Sequence, residues 1–553
     1  GFHGGSQYLL YTFLRIRDVR AVYVPSRSIG EYGGEIDNWM WPRHTGDFSF
    51  LRAYVSPDGR AADFSKDNVP FRPKRYLKVA KDGLRDGEFS IIIGFPGRTN
   101  RYLTSHGLRW YESFEYPERI RLYKRITELL EAQAAEDPAA AVKVAGQLKG
   151  FYNSRKNNEG MVEGFRKLRL VQRQREREAR LAEKWKGGPE PAQKYGTLLS
   201  DFEALYEERA GYGMKDLLLS FLFDKDRLLG QAMQIYQWSL ERQKPDLARD
   251  PDFMDRRKPD IERSIRVFQT QLHLESDRGI LELLLRELLD LPDGQRMRTL
   301  DDVFGGKHVF EGKRGEELDR TIAGFLDALY ANTSLYERDE RFRLFKTPYG
   351  RLRKERDSFL ALAARLYPEY RETLDRETSR NGALSVLVPK WIEAATVGST
   401  APVYADANGT MRVNFGKVQG ISVRDAVYHK PFTTLHGVVE KHTGEDPFNC
   451  PERLLELAAA HEYGDYSDPA LGDVPVNLLT THDSTGGNSG SPILNAKGEV
   501  AGCLFDGTYE GMTGDFDYDD SLNRSIHVDI RYVLFIADLV DGAQNVLEEL
   551  GVK

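Results

Sequence analysis

The apolar positions of this chain change period twice. From Tyr8 to about Arg109 they fall in short β-prone runs at 21–25, 48–55, 75–80 and 89–95, separated by the turn pairs Asp58-Gly59, Asp82-Gly83 and Pro96-Gly97. Runs of that length between such turns predict antiparallel strands, in a barrel or a sandwich. Around Tyr116 the composition shifts, and as far as about Leu374 long segments rich in Arg, Glu, Leu and Lys predict helices. Leu281, Leu284, Leu285, Leu288 and Leu289 stand at helical spacing and predict one buried stripe. From about Val397 strands return at 411–416, 476–480, 491–494 and 499–505, the last two joined across Asn495-Ala-Lys-Gly498, and residues 530–550 return to helical spacing. The order β, long α, β, terminal helix predicts one β domain, in segments 1–112 and 397–553, interrupted by a helical insertion at 113–396 whose exits lie near each other.

At 553 residues the chain exceeds one ordinary core, so two or three domains are expected. Its net charge of −7 gives no electrostatic reason to invoke nucleic acid or an anionic membrane. No apolar run reaches bilayer length; the longest, 280–291, contains Glu and Arg. The charge-dense stretch at 166–177 mixes Arg and Lys with Glu at an apolar spacing that predicts a solvated helix face. Cys450 and Cys503 could pair or stay free, and neither sits in a metal-ligand spacing. The eleven histidines include no zinc-protease pattern, so no metal or cofactor is expected. The opening Gly-Phe-His-Gly-Gly-Ser-Gln carries no basic stretch followed by an apolar one, and is expected to lie inside a domain rather than at a secretory signal.

The chemistry concentrates at 485–492, Thr-Gly-Gly-Asn-Ser-Gly-Ser-Pro, followed by the apolar Ile493 and Leu494. A serine between glycines before a strand suits an acyl-transfer nucleophile. The glycines let the N–H groups of Gly487 and Ser489 converge on an oxyanion while the Ser489 hydroxyl faces substrate. The plainer alternative is a polar hairpin loop. A second dense segment is 33–47, in which Asp47 follows Gly46 at the mouth of a strand, where a carboxylate can be aimed at an imidazole. Asp47 is equally suited to a turn cap there. His44 stands only three residues before Asp47 and reads as a surface or scaffold histidine, as do His3, His106, His436, His442, His461 and His482. The residues alone therefore give no convincing base.

Asp37-Asn-Trp-Met-Trp-Pro-Arg-His-Thr-Gly-Asp47, the stretch 89–98 ending Gly-Phe-Pro-Gly-Arg, Pro-Phe-Thr-Thr-Leu at 431–435, and the octet at 485–492 together resemble the bacterial dipeptidyl-peptidase family of dipeptidyl peptidases seven and eleven. The resemblance runs along essentially the whole chain. It implies a chymotrypsin-like double β-barrel with a large all-α domain inserted between the barrel segments and capping the cleft. It also implies Ser489 as nucleophile, with Asp47 as the acid of a Ser-His-Asp triad. The family's histidine lies in an Asn-His-His-Cys-like motif that this sequence lacks, so the chain is expected to be a fragment without its general base and inactive alone. By the same resemblance Asn38, Asn153 and Asp506 hold the substrate's free ammonium, with Trp39 as a wall. Gly507 stands where members that cut after Asp or Glu carry Arg, which implies an uncharged slot and a broad or hydrophobic preference.

Three readings follow. The first is a serine exopeptidase releasing dipeptides from oligopeptides with a free N-terminus; the second is an endopeptidase of the same fold; the third is a peptide-binding module without turnover. The resemblance further implies a periplasmic or cell-surface location and leaves room for a homodimer. All of it needs Asp47 and Ser489, far apart in sequence, to face one gap sized for an imidazole.

Overall fold

The computed structural model describes residues 2–3, 7–305, 315–396 and 403–553. The expected boundary at 396/397, and Gly1 and residues 4–6 of the opening motif, lie at or beyond the edge of that set. The chain forms two units. One joins Gly1–Tyr116, Lys156–Ala192 and Val388–Lys553; the other joins Pro117–Arg155 and Gln193–Leu387.

The first unit holds all twelve described strands: β1 (Asp18–Tyr23), β2 (Phe50–Val55), β3 (Val69–Pro70), β4 (Phe89–Gly94), β5 (Arg412–Lys417), β6 (Ile421–Arg424), β7 (Val427–His429), β8 (Phe432–Thr434), β9 (Pro475–Thr480), β10 (Pro492–Leu494), β11 (Val500–Gly507) and β12 (Ser525–Asp529). Strands β1-β2-β3 make one antiparallel sheet and β6-β7 a hairpin, while the main sheet runs β5-β4-β10-β11-β12-β9-β8, antiparallel throughout. Ser90, Ile92 and Gly94 of β4 are buried while Phe89 and Ile93 are exposed, the period of a strand covered on one face. All of β9 and β12 is buried, as central strands require. Beyond β5 the chain bends until Val418 bridges Thr480 of β9, with Thr481 N–H on Lys417 O at 3.0 Å and Gln419 N–H on Leu479 O at 3.1 Å, which curls the main sheet.

Several elements differ from the sequence expectation. Residues 72–78 are exposed and only Val79 bridges Val500, so the run at 75–80 is not a strand. The terminal helix is broken into Ile530–Phe535, a π turn at Ile536–Val540, and Gln544–Glu549, with Gly542 at φ +65° turning the chain between the last two. The run at 166–177 is likewise split, by Arg169 at φ +51°, into the ends of the helices Pro138–Leu168 and Leu170–Lys186. Residues Lys156–Ala192 join the β-rich unit because Met161, Phe165, Leu170 and Val171 bury in one cluster with Leu108, Met512 and Phe516.

The second unit is helical. Leu281, Leu284, Leu285, Leu288 and Leu289 of helix Leu274–Leu289 are buried together with Leu218, Phe221, Ile235, Trp238 and Phe359. Helix does not stop near Leu374: Ser358–Thr396 is one element. Asp277 inside this unit accepts the N–H of Arg227 at 2.7 Å and the Tyr330 hydroxyl at 2.9 Å, and so fixes the start of helix Arg227–Glu241.

Candidate active site

The loop between β9 and β10 is held from both sides. Asn488 N–H donates to Thr485 O at 3.0 Å and Thr485 N–H to Asn488 Oδ1 at 3.2 Å, closing a turn. Gly97 N–H, in the turn after β4, donates to Gly486 O at 2.7 Å, and Gly490 N–H donates to Leu504 O of β11 at 2.7 Å. Gly487 has φ +104°, and a Cβ there would stand 2.6 Å from Phe95 O and 2.7 Å from Gly97 N, so only glycine fits. Ser489 is exposed, with Oγ 3.4 Å from Phe505 O. Among the described residues, the N–H groups of Gly487 and Ser489 donate to no protein acceptor.

Asp47 is exposed at the entrance to β2. The segment before it is fixed by Asn477 of β9, whose side chain accepts Thr45 N–H and donates to Thr45 O, both at 2.9 Å. Burial raises the Cys503 thiol to about 11, with a further contribution from the charge of Asp47. The charge of Asp47 is thus felt at Cys503 of β11, and the serine hydroxyl lies against Phe505 O of the same strand. Cys450 and Cys503 are both free.

The histidines placed nearby are spoken for. His44 is buried against Gly437, where a Cβ would lie 2.1 Å from its Nε2. Burial, then the Lys441 ammonium, pushes its pKa down to about 3. His482 Nε2 donates to Ser90 O at 3.2 Å, leaving Nδ1 to accept the Thr480 hydroxyl at 2.8 Å; Thr480 Oγ1 lies 2.7 Å from His527 Nε2. That chain keeps both imidazoles neutral, and burial lowers His482 to about 4 and His527 further. Both are scaffold rather than surface. Among the described residues, no histidine is hydrogen bonded to Ser489.

Asn38, Trp39, Asp506 and Gly507 come together. Trp39, at φ +61°, donates its N–H to Asp506 Oδ2 at 3.0 Å, and its carbonyl accepts Tyr509 N–H at 2.7 Å. Gly507 N–H reaches Asp506 Oδ1 at 2.9 Å. Arg43 Nη1 donates to Asp506 Oδ2 and to Asp37 O, each at 2.7 Å, in an ion pair whose side chains are both nearly buried. Burial pushes the Asp506 carboxyl up, and the Arg43 charge opposes it. Asn38 Nδ2 donates to Glu35 Oε1 at 2.9 Å, and Lys156 Nζ to the carbonyls of Glu35 and Ile36 at 3.0 and 3.2 Å. A Cβ on Gly507 would sit 3.6 Å from the Trp39 ring, an ordinary contact. Asn153 lies on helix Pro138–Leu168 and belongs to the helical unit. Arg43 and Lys156 were not singled out from the sequence. The signal for Arg43 was there, since an arginine within an apolar, tryptophan-rich motif needs a carboxylate once buried.

An exposed serine in a glycine loop, with two unused N–H groups beside it, is the apparatus of an acyl-transfer hydrolase, and the comparisons give the same class, a serine peptidase. The sequence pattern of Peptidase S46 matches residues 1–552, and the chain belongs to that family. An Asp/Glu-specific dipeptidyl-peptidase of Shewanella putrefaciens is 34% identical over 573 residues, covering 99% of this chain and 76% of the relative. Dipeptidyl-peptidase 7 of Phocaeicola vulgatus is 30% identical over 572 residues, covering 100% and 74%. The crystal structure of Porphyromonas endodontalis DPP11 with the dipeptide Arg-Glu superposes with a TM-score of 0.78 at 28% identity, covering 100% of this chain and 77% of that one. Mixed helix and sheet, and the dipeptidyl-peptidase class, are shared. No helix among the described residues is long and apolar enough to cross a membrane.

Proposed function

We propose that this chain releases dipeptides from oligopeptides with a free N-terminus, through an acyl-enzyme on Ser489. Ser489 Oγ attacks the carbonyl of the second residue, its proton passing to an imidazole oriented by Asp47, and the oxyanion is held by the N–H groups of Gly487 and Ser489. The imidazole returns the proton to the leaving amine, and water then hydrolyses the ester. The observation that carries the proposal is the pair of unused N–H groups beside an exposed hydroxyl that lies against Phe505 of β11. His44, His482 and His527 are each committed elsewhere, so the imidazole is none of these three.

The ammonium of the substrate is assigned to Asp506 and Asn38, with Trp39 as a wall. Asp506 has one Oδ1 lone pair left after its three hydrogen bonds. The Arg43 charge opposes the upward push of burial on its carboxyl, which favours the charged form as acceptor. Gly507 beside Trp39 leaves an apolar, uncharged slot, so the residue before the cleaved bond is read as broad or hydrophobic, unlike the preference named for the Asp/Glu-specific relatives. The curl of the main sheet, with β5 meeting β9 through Val418, is read as a chymotrypsin-like barrel. Periplasmic or cell-surface placement and a homodimer belong to the same proposal.

The test compares a hydrophobic oligopeptide with a free amine and its N-acetylated twin. Dipeptide release from the first only, abolished by Ser489→Ala, is expected. Cleavage of the acetylated peptide would reject the ammonium anchor, and turnover by Ser489→Ala would reject the nucleophile.

A further inference from the structure

The arginine-rich run that reads from sequence as a solvated face has a second side. Arg173, Gln174, Arg177 and Arg180 lie at helical spacing on Leu170–Lys186 and line one wall of a cavity of about 400 Å³. Asn100 and Arg101 line another, and Leu170, Leu108 and Phe516 belong both to its lining and to the apolar cluster that Trp39 packs against. The volume lies within the range of small-ligand sites.

The charges do not balance. Arg101 is paired with Asp483, Nη2 to Oδ1 at 2.5 Å, and Arg173 with Asp517 at 3.0 Å. Glu176, also on the wall, takes a hydrogen bond from Gln172 at 3.0 Å. Among the described residues, Arg177 and Arg180 make no ion pair or hydrogen bond, so two guanidiniums with five donors each face a cavity without a partner. A planar fork of donors beside an apolar floor matches a carboxylate carried on a short aliphatic stem. Glu176 and Asp517 on the rim disfavour a dianion such as phosphate by like-charge repulsion.

The cavity is also joined to the nucleophile loop. Arg101 pairs with Asp483, six residues before Ser489, and Asn100 lies three residues after Gly97, whose N–H holds Gly486. Three residues span at most about 11 Å, within reach of an oligopeptide bound at Ser489.

We infer that this cavity is a carboxylate-binding site for peptides, with Arg177 and Arg180 as its cationic groups. The carboxylate comes from an acidic side chain or from a C-terminus. That its peptide is a substrate rests on the proposed function; the site itself does not.

The experiment is calorimetric binding at low salt with N-acetylated peptides, which cannot use the ammonium anchor. Wild-type protein is expected to bind acetyl-Gly-Glu-amide about tenfold more tightly than acetyl-Gly-Gln-amide, and Arg177→Ala/Arg180→Ala to lose that difference. Arg175→Ala, on the same helix but outside the lining, should keep it. A preference for acetyl-Gly-Gln acid over its amide, greater than that for Glu over Gln, assigns the site to C-termini; the reverse assigns it to side chains. Equal binding of every charged and neutral pair by wild type, or full discrimination by the double variant with a wild-type circular dichroism spectrum, overturns the inference. Neither result touches Asp506 or Ser489, so this site and the proposed peptidase reaction can fail separately.

Discussion

In the helical unit a stripe of the core comes from near neighbours in sequence; in the β-rich unit the pairings join distant segments. Six leucines within nine positions, 281–289, all lie in the helical core. The main sheet instead sets Ile92 beside Ile493 and Ile91 beside Phe415, and its anchor pairs Arg43 with Asp506 across 463 positions. The two units also use buried carboxylates differently. Asp277 is spent on a helix start and a tyrosine, a structural cap, whereas Asp506 gathers a backbone turn at Trp39, a strand end at Gly507 and a guanidinium. One region stores stability in local repetition; the other stores geometry in a few long-range contacts. Damage to the two should therefore separate into lost folding and lost chemistry.

The sharpest break is Ser489→Ala, which should lower dipeptide release by more than about 10³-fold. Because the hydroxyl is exposed, the denaturation midpoint should move by no more than about 0.5 kcal/mol; a large loss of stability would contradict the division. Arg43→Ala strands a buried carboxylate and should cost about 3–5 kcal/mol in denaturant titration. It should also weaken binding of free-amine peptides as pH falls, since Asp506 then protonates more readily. Leu284→Ala in the helical core should cost about 2–5 kcal/mol, while any protein that stays folded keeps its preference among peptides.

A fourth measurement follows acid. His482 is neutral in the fold with a pKa of about 4 against an ordinary 6.5. Its contribution is complete above pH 6.5 and is lost as pH falls toward 4, because the unfolded chain takes up the proton first. The loss amounts to about 3 kcal/mol, and His482→Gln should flatten the stability curve in that window. An unchanged acid limb would place the sensitivity elsewhere. The smallest expected effect is Gly507→Arg, for which the backbone and the 3.6 Å gap to Trp39 leave room. It should shift kcat/KM toward Asp or Glu by about tenfold; an unaltered profile discards the slot.

The same contrast governs what could be read before the structure. Period is a local property, so the leucine stripe and the strands β4, β5, β9, β10 and β11 were legible to within a few residues. Pairing is not local. Nothing in 156–192 announces that its apolar residues pack with Phe516 rather than with the other helices, and nothing in 75–80 announces that only its end, from Lys78 to Ala80, would meet a neighbouring strand. The loop at 485–492 was legible because its glycines answer a steric demand, seen at Gly487 against Phe95 and Gly97. The partner of Asp506 was missed because the two ends of an ion pair carry no mark of each other, and the cavity beside Arg177 because a charged helix face looks alike whether it borders water or a hollow.

Strand β11 meets the Ser489 hydroxyl at Phe505 O and carries the buried carboxylate at position 506, with a register slip between Leu504 and Asp506. Successive residues of a strand advance by about 3.3 Å, so in the proposed reaction the spacing between Ser489 and the amine acceptor is set by one contact at Phe505 O and one step along β11. The length of the released fragment would then be a gauge cut into one ribbon of backbone: adding or removing a single residue there should change how many amino acids the enzyme counts before it cuts.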